Sequence, residues 1–327
     1  MMNYLLIRLF QPVIDALEIL LFPRKSFKKV SQNPSFKGPL AILVFLILSN
    51  VPMNYVYLSK ISVEVPLLNR TLIPSLPPYE ISINLSFTPR QIGIYTYNWT
   101  TGSDIIIVYG RDIKQQEIQE IITINPNETI HYTEHYFTAV TKVRFNHGGD
   151  NKSQYLMLGS KPKNYSSLLM LGQFSSFTIR SSMSVIIAIF INWSIYSIFI
   201  FLVLKLFHEN KISFSILLIV MGYALVPAIV YPIVRTIAIL TLPELKFPLE
   251  VWASKSVESM NQIWEPWTSS PALQLVFYIR YVIDVWTLFL TVTATYVSFE
   301  LDLKKAAIAS LIAYGVRLLL ANIFRMI

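Results

Sequence analysis

No cysteine occurs in the 327 residues. Disulfides, thiolate metal centres and cysteine nucleophiles are therefore excluded, and the redox compartment leaves no trace. Charge is also scarce: Asp, Glu, Lys and Arg make up 14% of the chain, against 54% hydrophobic residues. Acidic residues are the rarer sign, 19 against 27 basic ones, which gives a formal net charge of +8. Glycine occurs only 10 times. There is no Gly-rich phosphate loop or P-loop, so nucleotide chemistry has no support and no cofactor is implied. A mean hydropathy of +0.51 over this length is foreign to a soluble domain and makes an integral membrane protein the first reading. In that setting a basic balance marks cationic segments beside a membrane and does not indicate nucleic-acid binding.

Five apolar stretches lie near 39–58, 182–207, 213–242, 273–299 and 306–324, each close to the roughly 20 residues that a bilayer crossing takes. The first, PLAILVFLILSNVPMNYVYL, follows PRKSFKK with its Arg24, Lys25, Lys28 and Lys29. Positive charge beside a span favours the cytoplasm. With an internal N-terminus, five spans put the C-terminus outside. The short loops holding Lys205 and Lys211, and Lys304 and Lys305, then also fall inside. The expected location is the cell membrane, crossed several times. Residues 1–22 lack the basic start and small-residue cleavage site of a signal peptide. Gln11, Asp15 and Glu18 recur at i, i+4 and i+7, opposite Ile14, Leu17, Leu20 and Leu21, and Pro12 suits a helix start. Residues 1–37 thus read as a cytoplasmic, interfacial amphipathic segment on the lipid bilayer.

Between the first span (38–58) and the second, residues 59–181 change character. ISINLSF, GIYTYNWT, DIIIVYG and HYFTAVTKVRF are rich in Ile, Val, Tyr, Phe and Thr, and Pro, Asn, Gly and Asp turns separate them. This pattern predicts an all-β, sandwich-like extracellular domain inserted between spans one and two. Asn-x-Ser/Thr sequons occur at Asn69, Asn84, Asn98, Asn127, Asn151 and Asn164, all inside this segment; the remaining one, Asn192, falls within a span. Their shared position on the predicted outer side points to a glycoprotein carrying N-linked glycans. Dense sequons without cysteine suit an archaeal cell envelope. The predicted fold class is an α-helical membrane bundle of five spans plus this β domain. Residues 182–327 form a four-span bundle with an outer Trp-rich loop at 243–272. Trp252, Trp264 and Trp267 of that loop are expected to anchor at the membrane interface.

The stretch HYTEHYF, 131–137, contains His-x-x-Glu-His, a spacing that holds zinc when it lies on a helix. The surrounding Thr, Tyr and Val favour a strand. On a strand His131 and His135 share a face but stand about 13 Å apart, and Glu134 points the other way. No metal site and no enzyme are expected here. Arg235, Arg280, Asp284 and Arg317 lie within predicted spans. Such charges are costly and usually face the bundle interior in pairs. Arg280 and Asp284, four apart, share a helix face and are placed to pair. Arg235 is near enough to its span end to snorkel, and Arg317 needs a partner. The structural reading is a polar clasp joining the third, fourth and fifth helices. The functional one is a proton pathway or an anionic-lipid site.

The membrane portion resembles the Yip family of multi-spanning membrane proteins in its prokaryotic form, over about residues 10–58 and 182–325. LLFPRKSFKKVSQNPSFKGPLAI is similar to the family's opening, with Pro23, Phe27, Gly38 and Pro39 at the matching places. GYALVPAIVYP is similar to its central Gly-Tyr-x-x-x-Pro, at Gly222, Tyr223 and Pro227. The ending also matches: a span, the charged turn ELDLKK and a last apolar helix. Ser35-Phe36-Lys37-Gly38-Pro39 stands where eukaryotic members have Asp-Leu-Tyr-Gly-Pro, so the acidic residue is missing. The resemblance implies a fold more than an activity. With no catalytic constellation in view, the expected function is a non-catalytic scaffold or accessory subunit with protein partners in the membrane. The alternative is a transporter or transporter subunit using the buried charges.

Overall fold

The structure, a computed structural model, describes residues 11, 14–70, 79–97, 104–124, 130–146, 155–209, 212–254 and 257–326. In chain order the first elements are the helices α1 (14–21), α2 (Pro23–Gln32) and α3 (Lys37–Ser59). Nine strands follow: β1 (Ile61–Glu64), β2 (Leu68–Arg70), β3 (Glu80–Tyr97), β4 (Asp104–Arg111), β5 (Glu117–Ile124), β6 (Ile130–Tyr132), β7 (Phe137–Phe145), β8 (Tyr155–Lys161) and β9 (Tyr165–Ser167). Then come α4 (Phe174–Leu206), α5 (Phe214–Ala224), α6 (Val230–Leu240), β10 (Leu245–Phe247), α7 (Leu249–Ser254), α8 (Val257–Thr268), α9 (Pro271–Ser298) and α10 (Leu303–Met326). They form two compact units: a helical one from residues 1–57, 173–242 and 269–327, and a β one from 58–172 and 243–268.

Among the described residues four helical segments are long and apolar enough to cross a membrane: α3, α4, the α5–α6 segment Phe214–Leu240, and α9. They mark a membrane-spanning protein with a separate β unit. The fifth predicted stretch lies in α10, a 24-residue helix that carries Lys304, Lys305 and Arg317. A kink is predicted in the third stretch at Pro227 and Pro232. The structure goes further: α5 stops at Ala224, a 3-10 turn covers Val226–Ile229, and the helix restarts at Val230. Pro227 has no N–H to continue the ladder, while Pro232 sits in the first turn of α6, where a missing N–H matters least. α9 begins cleanly, with Ser270 as N-cap accepting from Ala272 N and Pro271 at the first helical position.

The helical core holds Phe27, Ile200, Leu204, Leu217, Val220 and Leu290 at 0% exposure. Thr287, Thr291, Thr293 and Thr295 on α9 each donate to the carbonyl four residues back, at 2.7–2.9 Å. Their hydroxyls are thereby satisfied within the helix itself. Ala294 of α9 and Ala309 and Ala313 of α10 are fully buried in the helical core, small side chains of the kind that let helix backbones approach. α1 has three faces. Ala16 and Ile19 are buried, Asp15 and Glu18 meet Lys29 of α2 at 3.0 and 3.5 Å, and Ile14, Leu17 and Leu21 are exposed.

In the β unit, seven strands make one antiparallel sheet in the order β2-β8-β3-β7-β4-β5, with β6 added to β3. The 18-residue β3 carries two register shifts, between Ser82 and Leu85 and between Ser86 and Arg90. Such irregularities bend a strand. Its first half therefore pairs with β7 and its second with β8 and β6, and the sheet curls as a half-barrel around Ile92, Ile94, Ile106, Val108, Phe137 and Val143. A second, three-stranded sheet has the order β10-β1-β9, with β1 parallel to β10 and antiparallel to β9. Residues 243–268 thus fold with the β unit. Trp267 is buried there, donating its indole N–H to Pro243 O at 2.8 Å, and Trp264 packs edge-on against Phe247 and Trp267. Both side chains pack within the β unit, where a strand and two short helices order this loop. The Trp252 side chain lies outside the described residues.

Candidate functional site

Two of the four charges expected within spans, Arg317 and Asp284, meet. The Arg317 guanidinium on α10 donates to Asp284 Oδ1 of α9 at 3.0 Å and to Asn192 Oδ1 of α4 at 3.0 Å, with the Tyr196 hydroxyl at 3.5 Å. Asn192 in turn donates to the Ala188 carbonyl at 2.8 Å. The Arg317 and Asp284 side chains are each 18% exposed. A polar clasp does form, but its membership differs from the expected one. It joins α4, α9 and α10, and the third predicted span contributes nothing to it. Arg280 makes no ion pair with Asp284. It is exposed, and no partner reaches it among the described residues. The i, i+4 spacing permits a pair within α9, yet Asp284 meets a guanidinium from another helix. Arg235 on α6 is partly buried, with its charge near Tyr57 of α3. Asn192 and Tyr196 were missed by sequence reasoning, although an Asn deep in an apolar run is itself a signal.

The clasp opens on a groove of about 520 Å³ between α4 and α10. Arg180, Met183, Ile187 and Ile191 line one wall, and Arg317 and Leu320 the other.

Four of the residues that carry the motif resemblance, Gly38, Pro39, Gly222 and Tyr223, form a packing knot. A Cβ on Gly222 of α5 would stand 2.6 Å from Pro39 Cβ of α3 and 2.9 Å from the Trp193 ring, and one on Gly38 would overlap the Tyr223 hydroxyl at 1.8 Å. Only glycine allows this approach. Trp193 closes the knot by donating to Leu218 O at 2.5 Å. Pro23 opens α2, Phe27 is wholly buried in the helical core, and Pro227 is the second residue of the 3-10 turn.

His131 lies on the three-residue β6 and is buried. The strand ends at Tyr132, so His135 sits in a bend with its side chain 69% exposed. The shared strand face expected for these histidines therefore does not exist. Glu120 receives the Glu134 and His135 backbone N–H groups at 2.5 and 3.0 Å, and His135 Nδ1 lies 3.2 Å from it. Among the described residues no group of three or more His, Asp or Glu converges as a metal site would require. Of the sequons, Asn164 is exposed, Asn69 and Asn84 lie on β2 and β3, and Asn98, Asn127 and Asn151 fall outside the described residues.

A second polar cluster, unmarked by any motif, lies in the β unit. The Glu64 side chain is fully buried and accepts from Tyr95 Oη at 2.9 Å and Leu249 N at 3.0 Å, with Lys163 Nζ at 3.8 Å. Lys163 also binds Glu250. Burial pulls the Lys163 ammonium down, but the Glu250 carboxylate outweighs this and holds it above the ordinary lysine value. Burial, then bonding to Tyr132 and Glu64, pushes the Tyr95 phenol far above the ordinary tyrosine value. Through these bonds the Glu64 carboxylate ties β1, β3 and α7 together.

No known protein family, curated protein or solved structure matches the chain.

Proposed function

We propose that the chain is a non-catalytic integral membrane protein: a scaffold or accessory subunit in membrane organisation, trafficking or assembly of a larger membrane complex. The observation that carries this reading is Arg280. It is exposed on α9 without a partner among the described residues, beside the exposed Phe277 and Tyr281. A guanidinium at membrane depth costs roughly 2.5 kcal/mol or more unless it snorkels or is paired. An acceptor on a neighbouring protein's helix would remove that cost. Along the same helix Tyr281, Val282, Val285, Trp286 and Phe289 line an apolar concavity of about 550 Å³, a shape that suits a packed helix.

In this reading α10 is the fifth span, the N-terminus is cytoplasmic, and the β unit is a sandwich-like, N-glycosylated extracellular domain, with the C-terminus also outside. The motif resemblance to the prokaryotic Yip family supports a role in membrane organisation. The test is extraction of native protein in mild detergent, followed by size analysis and mass spectrometry. A stoichiometric assembly that Arg280→Leu disrupts, without altering thermal stability, supports the reading. A lone chain, or an assembly indifferent to Arg280, overturns it.

One observation favours a second reading, a transporter or transporter subunit: the break at Val226–Ile229 in the third long helix, since interrupted helices build transport sites. Proteoliposomes carrying an internal pH dye test it. A proton flux abolished by Asp284→Asn would support transport, and no flux would oppose it.

A further inference from the structure

We propose that the groove between α4 and α10 holds one anionic phospholipid, its phosphate on Arg180 and one acyl chain lying along the groove toward Arg317. This does not rest on the accessory-subunit reading. Arg180, Met183, Ser184, Ile187 and Ile191 recur every three or four residues, so one face of α4 lines the groove. Asn192 lies twelve residues beyond Arg180, about 18 Å at 1.5 Å rise per residue, slightly more than half of a hydrocarbon core of roughly 30 Å. The groove therefore runs about the depth of one leaflet, from headgroup level to the bilayer centre.

The two ends differ in charge. Arg180 is exposed near the start of α4, and no carboxylate or other partner reaches it among the described residues. Its planar fork suits bidentate contact with a phosphate. Arg317, at the deep end, is neutralised by Asp284, so a chain terminus meets a compensated pair there. Between them the wall is Met183, Ile187, Ile191 and Leu320. An isolated inorganic anion would leave that apolar length uncovered, whereas a lipid covers it. The volume of about 520 Å³ is in the range of sites that enclose small ligands.

The experiment is native mass spectrometry of the full chain in a neutral detergent, titrated with phosphatidylglycerol, phosphatidylcholine or glycerol phosphate. One phosphatidylglycerol should bind in preference to phosphatidylcholine. Arg180→Gln should weaken it about tenfold, the loss of a charge-assisted contact. Ile187→Trp, which fills the groove, should weaken it comparably with Arg180 intact, and Arg111→Gln, at an exposed position on β4, should change nothing. Equal binding of the two lipids would overturn the proposal, as would equal losses in Arg180→Gln and Arg111→Gln. Glycerol phosphate binding as tightly as the lipid would reduce the site to a simple anion contact and overturn it too.

Discussion

Changing Asp284 to Asn removes the one carboxylate that meets Arg317 among the described residues. The guanidinium keeps Asn192 at 3.0 Å and the long contact to Tyr196 at 3.5 Å, but its charge loses compensation. Two scales bound the effect. Polar contacts between membrane helices average about 0.6 kcal/mol and reach about 2, and orphaning one partner of a buried ion pair costs about 3–5 kcal/mol. With both side chains 18% exposed and two neutral contacts surviving, a loss of about 2 kcal/mol is expected for Asp284→Asn. Arg317→Gln should lose a similar amount, and the double change should lose less than the sum of the two, with a coupling of at least ~1 kcal/mol. The assay is reversible unfolding by sodium dodecyl sulfate in mixed micelles, followed by circular dichroism. Arg280→Gln serves as the comparison and should stay within about 0.5 kcal/mol. An Asp284→Asn loss below ~0.5 kcal/mol, or strict additivity of the pair, would refute the clasp.

Three further outcomes follow from the packing and the electrostatics. Gly222→Ala, whose new Cβ has Pro39 and Trp193 within 2.9 Å, should destabilise the full chain by about 1–3 kcal/mol through overpacking, read in the same micelle titration. In the β unit Lys163 and Tyr95 are both raised. The folded state therefore favours their protonated forms, and their contribution is fully present below the unfolded-state values near pH 10 and is lost as pH rises through the folded ones. Alkaline titration should show stability falling above about pH 10, with Lys163→Met and Tyr95→Phe each flattening the fall; a profile flat to pH 12 in the native chain would contradict this. Asn164→Gln should remove one glycan's mass from protein made in a glycosylating host, because Asn164 is exposed; an unchanged mass would count against an external β unit.

Local signals proved readable. The apolar stretches, the alternating Ile, Val and Tyr of the strands, and the proline break in the third stretch are all properties of neighbouring residues, and each appears where its pattern lies. What could not be read depends on residues far apart. β10 pairs with β1 across 180 intervening positions, and no local pattern in LKF announces it. Sequence spacing favours Arg280 as the partner of Asp284. The packing of α9 against α10 brings Asp284 to Arg317 instead. Asn192 was read as an unusable sequon, which hid its role as an acceptor. Glu64 stood alone between a span and a strand, and its donors come from β3, the loop before β9 and the start of α7.

The order of synthesis gives the β10–β1 pairing a consequence. A ribosome delivers β1 long before β10, and three long apolar helices emerge before residue 245. Until then one edge of β1 is open, and the Glu64 carboxylate lacks the Leu249 amide. An open strand edge beside an under-satisfied acid is where nascent chains mispair or recruit a chaperone. Completion of the β unit thus waits on the emergence of the third long helix. A chain stopped short of Leu245 would carry most of its strands yet lack the edge strand that finishes the smaller sheet, so quality control could read faulty membrane insertion as an unfinished β unit.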